Sequence, residues 1–380
     1  MGLGCSSQSP SNAGAGGAAP SNGGTGASGA PSAGANTVAG SSASGAGTTN
    51  GGSSTAGAST GGGGSASKAD GGAGGANTAA GAAGSPAAGG AGGAGGQGGA
   101  SGGCVPTKLW GTADPASPGP FAVTVEKDVG PENGAPDKLH DNMKPHFNVY
   151  RPTDMSQGYC HPVITWGNGT NDQPEPNPPA CSNGCGNYKV LVNQLASHGF
   201  VVVASLSSQT LQTTAGSPLP QVAGVDWMIA ENENPASALY HHLDVAHIGA
   251  TGHSQGGAAT SASGADPRIV ATAPLCGAQA NVTLHGPALL LCGGADTTVP
   301  CSKVQPAYDS ISNLPTMMAE LAGMTHGSWI GSIKDPAMVG ITAWMRVHLM
   351  NDTANRAMFY GASCKVCSDA KWTIQRKMMD

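Results

Sequence analysis

Ile248-Gly249-Ala250-Thr251-Gly252-His253-Ser254-Gln255-Gly256-Gly257-Ala258-Ala259 decides how this chain folds. An apolar run that reads as a strand passes directly into small residues that read as a helix, with Gly-x-Ser-x-Gly at the junction. The bare pattern is weak, because Gly and Ser are abundant in this chain. Its context carries the weight: a serine in a tight turn between strand and helix has its hydroxyl exposed, and side chains in place of the glycines would strike the adjoining elements. Ser254 is the candidate nucleophile.

The same alternation extends in both directions. Upstream, Phe121 to Glu126, Phe147 to Pro152 and Pro162 to Trp166 read as strands, and Tyr188 to His198 as a helix stopped by Gly199 ahead of the strand Phe200 to Ala204. Downstream, the helix from Gln255 to about Ser263 leads to strands at Ile269 to Ala273, Ala288 to Cys292 and Met317 to Glu320. A long helix near Met338 to Met350 follows. Helices alternating with continuously apolar strands imply crossovers and a doubly wound α/β architecture, a mostly parallel sheet with helices on both faces.

A serine hydroxyl is a poor nucleophile at neutral pH, so it needs a base to take its proton and a carboxylate to orient and stabilise that base. Asp296 follows the strand ending at Cys292, and His326, in Gly323-Met324-Thr325-His326-Gly327, follows the next strand. The order Ser, Asp, His is that of the α/β-hydrolase fold. Asp266, Asp309 and Asp335 lack the strand-end context, and His241, His242, His247, His285 and His348 read as structural or surface residues. His253 reads as shaping the turn. The backbone amides of Gln255 and Asn168, the latter in the loop after Trp166, are the candidate oxyanion donors. This chemistry calls for no metal or cofactor.

Composition divides the chain near Cys104. Residues 6–103 are almost entirely Gly, Ala, Ser, Thr, Asn and Pro and read as a disordered low-complexity linker, with residues 104–380 as the catalytic domain. The net charge of −6 gives no electrostatic footprint for nucleic acid, and no apolar run is long enough to span a bilayer. Residues 1–5, ending at Cys5, read as the remnant of a bacterial lipoprotein signal, with Cys5 as a lipidated tether. The same residues fit a myristoylation pattern at Gly2. Ten cysteines without paired zinc-type spacing point to disulfides and an extracytoplasmic location. Cys364 and Cys367 read as a C-terminal staple.

With the triad in place, the domain resembles the cutinase-like polyester hydrolases, the group that includes bacterial poly(ethylene terephthalate) hydrolases. Leu195-Ala196-Ser197-His198-Gly199-Phe200-Val201-Val202, Val245-Ala246-His247-Ile248-Gly249 and Ala271-Thr272-Ala273-Pro274 carry the resemblance. So do Tyr308-Asp309-Ser310, Ala343-Trp344-Met345-Arg346 and Asn351-Asp352-Thr353. It implies a monomeric serine ester hydrolase working through an acyl-enzyme, with Ser254, Asp296 and His326 as triad. The departures concern substrate. Asn168 stands where the group usually has an aromatic residue, Gln255 where it has methionine, and Gly277-Ala278 where a tryptophan falls. Trp166, Gly169 and Trp329 are the candidate pocket residues, the two tryptophans serving either as a different apolar wall or as core. The group's disulfide between acid and histidine loops has no counterpart, since no cysteine lies near His326 in sequence. Setting Cys5 aside leaves nine of the ten cysteines, so at least one is unpaired; strand-borne Cys292 is the candidate free thiol, Cys276 and Cys301 a candidate bridge, and Cys160, Cys181 and Cys185 a local cluster. Besides a polyester, small soluble esters of the acetyl or feruloyl type fit the triad, and a silent surface-binding module is the remaining alternative.

Overall fold

In a computed structural model, which describes residues 104–105, 114–131, 146–170, 188–207, 209–211 and 218–380, nine strands form one sheet. In chain order they are β1 Val123–Val129, β2 Phe147–Pro152, β3 His161–Gly167, β4 Val201–Ser205, β5 Leu243–His253, β6 Ile269–Leu275, β7 Ala288–Gly293, β8 Thr316–Leu321 and β9 Trp372–Lys377. They lie side by side as β1-β2-β4-β3-β5-β6-β7-β8-β9. The strands from β4 through β8 pair in parallel, while β1 and β2 at one edge and β9 at the other run antiparallel to their neighbours. This is the mostly parallel α/β-hydrolase sheet that the alternation predicts, extended by an antiparallel strand at its far edge. Residues 1–103, with the linker and Cys5, lie outside the described residues.

Successive side chains on a strand point to opposite faces, and here both faces are dry. Ile164, Trp166, Val202, Leu289 and Leu291 pack beneath helices α1 (Lys189–Ser197) and α5 (Pro336–Leu349). Their neighbours Val163, Val201 and Val203 face α2 (Pro220–Glu233), and Leu290 and Cys292 face α4 (Cys301–Ser310). Burial on both faces explains why these strands read as continuous apolar runs. Helix α3 (Gln255–Ser263) lies beside α2, and a short helix, α6 (Thr353–Arg356), follows α5.

Helix α2 has no clean apolar stripe in sequence, because its buried face carries Gln221, Gly224 and Asn232 beside Val225 and Met228. Each side chain has a partner there: Gln221 Nε2 donates to the Thr251 carbonyl at 3.0 Å, and Asn232 Oδ1 accepts from the Leu243 amide at 2.9 Å.

Three disulfides lie among the described residues, Cys104–Cys160, Cys292–Cys301 and Cys364–Cys367. The C-terminal staple is as expected. Cys292, expected to be free, is instead joined to Cys301, because the eight-residue loop between them brings the chain back to a Cα separation of 5.2 Å. The expected bridge between Cys276 and Cys301 does not form, and Cys276 is a buried free thiol. Cys160 pairs with Cys104, where Val105 forms a bridge with Tyr159, rather than with its neighbours. Cys181 and Cys185 lie outside the described residues. No helix among the described residues is long and apolar enough to cross a membrane.

Candidate active site

Ser254 sits between the last residue of β5 and the first of α3, with φ 58° and ψ −118°. A non-glycine residue at positive φ costs of order 1–3 kcal/mol and persists only where the surroundings impose it. Here the close approach of backbones imposes it. A Cβ at Gly252 would press on the Gly256 carbonyl, and one at Gly256 would collide with the carbonyl of Gly167 at the end of β3. Gly167 is also the register partner of Gly252. The loop that follows β3 therefore lies directly against the start of α3.

His326 and Asp296 arrive from the ends of β8 and β7. Nε2 of His326 lies 3.0 Å from Ser254 Oγ, and its Nδ1 lies 2.7 Å from Asp296 Oδ2. The other carboxylate oxygen of Asp296 accepts the amides of Thr298 and Val299, at 2.8 and 2.9 Å. Burial pushes the Asp296 carboxyl upward. The bond to His326 and the two amides outweigh that and hold it below the usual carboxylate range. Exposure grades along the row: the Asp296 side chain is 0% exposed and that of His326 23%. A buried carboxylate thus anchors an imidazole that reaches toward solvent.

Asn168 is fully buried, with its side chain turned inward. Its Oδ1 accepts from Trp166 Nε1 at 2.8 Å, its Nδ2 donates to the carbonyls of Ser205 and Ser207, and its own carbonyl accepts from Thr210 Oγ1. The side chain fixes the loop, and its backbone borders the elbow. Gly169 is next, where an added Cβ would lie 3.5 Å from Ser254 Cβ. Gln255 is the first residue of α3 and its Nε2 donates to Gln209 Oε1 at 3.2 Å, which puts a pair of side-chain amides next to Ser254.

Of the two readings open for Trp166 and Trp329, the structure selects core, because both are 0% exposed. Trp166 packs against Tyr188, and Trp329 donates from Nε1 to the His326 carbonyl while stacking on Tyr188. They support the site from behind.

Three further residues lie at the site: His253, read in sequence as shaping the turn, and Cys276 and Tyr188, which the chain does not mark as site residues. Cys276, at the end of β6, has its thiol beside the Asp296 carboxylate. His253 lies under His326, with ring centroids 4.6 Å apart. Tyr188, known from sequence only as a helix start, is hydrogen bonded to His253. Side chains that arrive from separate strands leave no local spacing to read.

Comparison with known proteins points to a family. Residues 181–376, more than half of the chain and including Ser254, Asp296 and His326, match the family described as PET hydrolase-like. Among individual relatives, Cutinase est1 of Thermobifida alba is 28% identical over 169 residues, 43% of this chain and 56% of the relative. Cutinase 2 of Thermobifida cellulosilytica and cutinase cut1 of Thermobifida fusca are each 28% identical over 170 residues, 63% and 52% of their lengths. The match thus spans 52% to 63% of each relative's length. On fold, elbow and the extent of the family match together, the chain belongs to the PET hydrolase-like family.

Proposed function

We propose that this protein hydrolyses carboxylic esters through an acyl-enzyme on Ser254. The observation that carries the reading is one continuous row, Asp296 Oδ2, His326 and Ser254 Oγ, linked at 2.7 and 3.0 Å. His326 Nε2 takes the hydroxyl proton as Oγ attacks the ester carbonyl, and Asp296 stabilises the imidazolium so formed. The carbonyl oxygen becomes an oxyanion for which the amides of Gln255 and Asn168 are the donors. His326 then returns the proton to the leaving alcohol, freeing it and leaving Ser254 acylated. Water enters, His326 takes its proton, and the tetrahedral collapse releases the acid and restores the Ser254 hydroxyl.

The substrate is an ester or polyester. A second reading, small soluble esters, is favoured by the wall of the site. Trp166 and Trp329 are buried, Asn168 faces inward, and the amide pair Gln255 and Gln209 borders the nucleophile in place of a flat aromatic surface. Three disulfides support maturation in an oxidising compartment outside the cytoplasm.

The test compares wild type with Ser254→Ala on polyester film and on a soluble p-nitrophenyl ester. Monomer release from film by wild type alone supports a polyester substrate. Turnover confined to the soluble ester supports the second reading, and equal rates for both proteins overturn the nucleophile.

A further inference from the structure

Behind the triad, a second row of hydrogen bonds connects the two loops that flank Ser254. The amide of Gly169 lies 3.3 Å from the Tyr188 hydroxyl oxygen, and that oxygen lies 2.8 Å from His253 Nδ1. On the far side of the ring, His253 Nε2 lies 2.7 Å from the carbonyl oxygen of His326.

The chemistry of the ends fixes the direction of every bond between them. A carbonyl only accepts, so His253 Nε2 carries the hydrogen, and a neutral imidazole then presents Nδ1 as acceptor. The Tyr188 hydroxyl donates to it and accepts from the Gly169 amide through its remaining lone pairs. Nothing in the row is mismatched. The wiring needs His253 neutral, and burial, followed by the nearby His326, pushes its pKa down to about 3. The row is also encased. Tyr188 is 0% exposed, and Trp329 stacks on it at 6.0 Å while lying 5.2 Å from the His253 ring. Trp329 Nε1 is a second donor to the His326 carbonyl, at 3.3 Å.

We propose that Tyr188 and His253 are positioning residues forming a strut that holds the oxyanion loop and the backbone of the catalytic base in fixed register across Ser254. The inference rests on the ester-hydrolase reading above. It assigns a role to the second residue of Gly-x-Ser-x-Gly, whose two ring nitrogens are bonded to Tyr188 and the His326 carbonyl. Asn168 ties the oxyanion loop to Ser205 and Ser207, and Asp296 orients the His326 ring, but neither connects the two loops. The strut does, and a misplacement of about 1 Å at a reacting group costs roughly a hundredfold in rate.

The test uses the full chain. Tyr188→Phe removes one oxygen and keeps the ring, and His253→Phe removes both nitrogens. Each is expected to lower kcat on a soluble p-nitrophenyl ester by about tenfold with KM within about twofold. The double variant should be no slower than the slower single one, since both changes break the same row. Nitrogen-15 NMR of the wild-type histidines should show His253 as the Nε2–H tautomer at pH 8. This spectrum decides the wiring even where a variant does not fold. A Tyr188→Phe kcat within twofold of wild type, multiplicative losses in the double variant, or an Nδ1–H tautomer would each overturn the strut. Ser254→Ala serves as control. If it keeps wild-type turnover, the hydrolase reading fails; if it is inactive while Tyr188→Phe is fully active, only the strut fails.

Discussion

Asp296 holds His326 through one carboxylate oxygen, 2.7 Å from Nδ1, and is itself held through the other by the amides of Thr298 and Val299. The carboxylate is thus held at both of its oxygens. Asp296→Asn would keep the shape and lose the charge, and its amide would favour the wrong tautomer of His326. Turnover of a soluble ester should fall by roughly ten-thousandfold with little change in KM. Steady-state kinetics at pH 8 checks this, and a loss under tenfold would mean that another carboxylate does the work.

Gly256→Ala tests the close approach of the oxyanion loop to α3. The new Cβ would collide with the Gly167 carbonyl, so either the loop or the helix start must move. Overpacking of this kind costs about 1–3 kcal/mol. Urea unfolding should show a lower midpoint, and kcat should fall because the displaced backbone carries Asn168 and Gln255, the proposed oxyanion donors. Wild-type stability and kcat together would show that the backbones are not in contact.

The disulfide Cys292–Cys301 closes the loop that carries Asp296. With nine residues of separation, loop-closure entropy suggests a contribution of about 2–3 kcal/mol. The double variant Cys292→Ser, Cys301→Ser should lose roughly that much in urea unfolding, and its activity should fail at a lower temperature than that of wild type. Unchanged stability would show that the loop is held by its hydrogen bonds alone.

Acid should destabilise the protein well above the carboxylate range. Burial, then the His326 ring, lowers His253 to about 3; burial, then Arg346, lowers His198 to about 4; burial, then Arg356, lowers His348 to about 4. An unfolded histidine titrates near pH 6.5. As pH falls from about 6.5 toward 4, the unfolded chain takes up protons that the folded one refuses. Stability therefore drops, by at most about 1.4 kcal/mol per pH unit for each group. The lowered Asp296 carboxyl adds in the same direction at still lower pH. His247, raised by its bond to Asp244, works the other way, its contribution fading as pH rises through its folded value. Urea midpoints at pH 8, 6 and 4.5 should decrease in that order; a flat series would contradict the burial of these rings.

Cys276 should be inert while the protein is folded. Burial pushes its thiol up, and the neighbouring Asp296 charge pushes it further, so the thiolate that attacks an alkylating reagent is not formed. Mass spectrometry after iodoacetamide at pH 8 should find the Cys276 peptide unmodified in native protein and modified after urea. Native labelling would mean that the base of the site opens.

The part of this protein that depends on short-range pattern was readable in the chain. Apolar strands, Gly-x-Ser-x-Gly between β5 and α3, and strand-end positions for Asp296 and His326 are set by neighbours in sequence, because tight turns and buried strands admit few residue types. Helix α2 was hidden, since Gln221 and Asn232 fill its buried stripe and become acceptable only through partners on β3, β5 and α3. Strand β9 and helix α4 were hidden too, the first a half-exposed edge and the second a helix containing Pro306. Cysteine pairing, the inward turn of Asn168, the burial of Trp166 and Trp329, and the row through Tyr188 and His253 all join residues far apart along the chain. Which of them meet is decided by the sheet that brings strand ends together, because a hydrogen bond or a disulfide depends on distance and direction in space, and composition along the chain specifies neither.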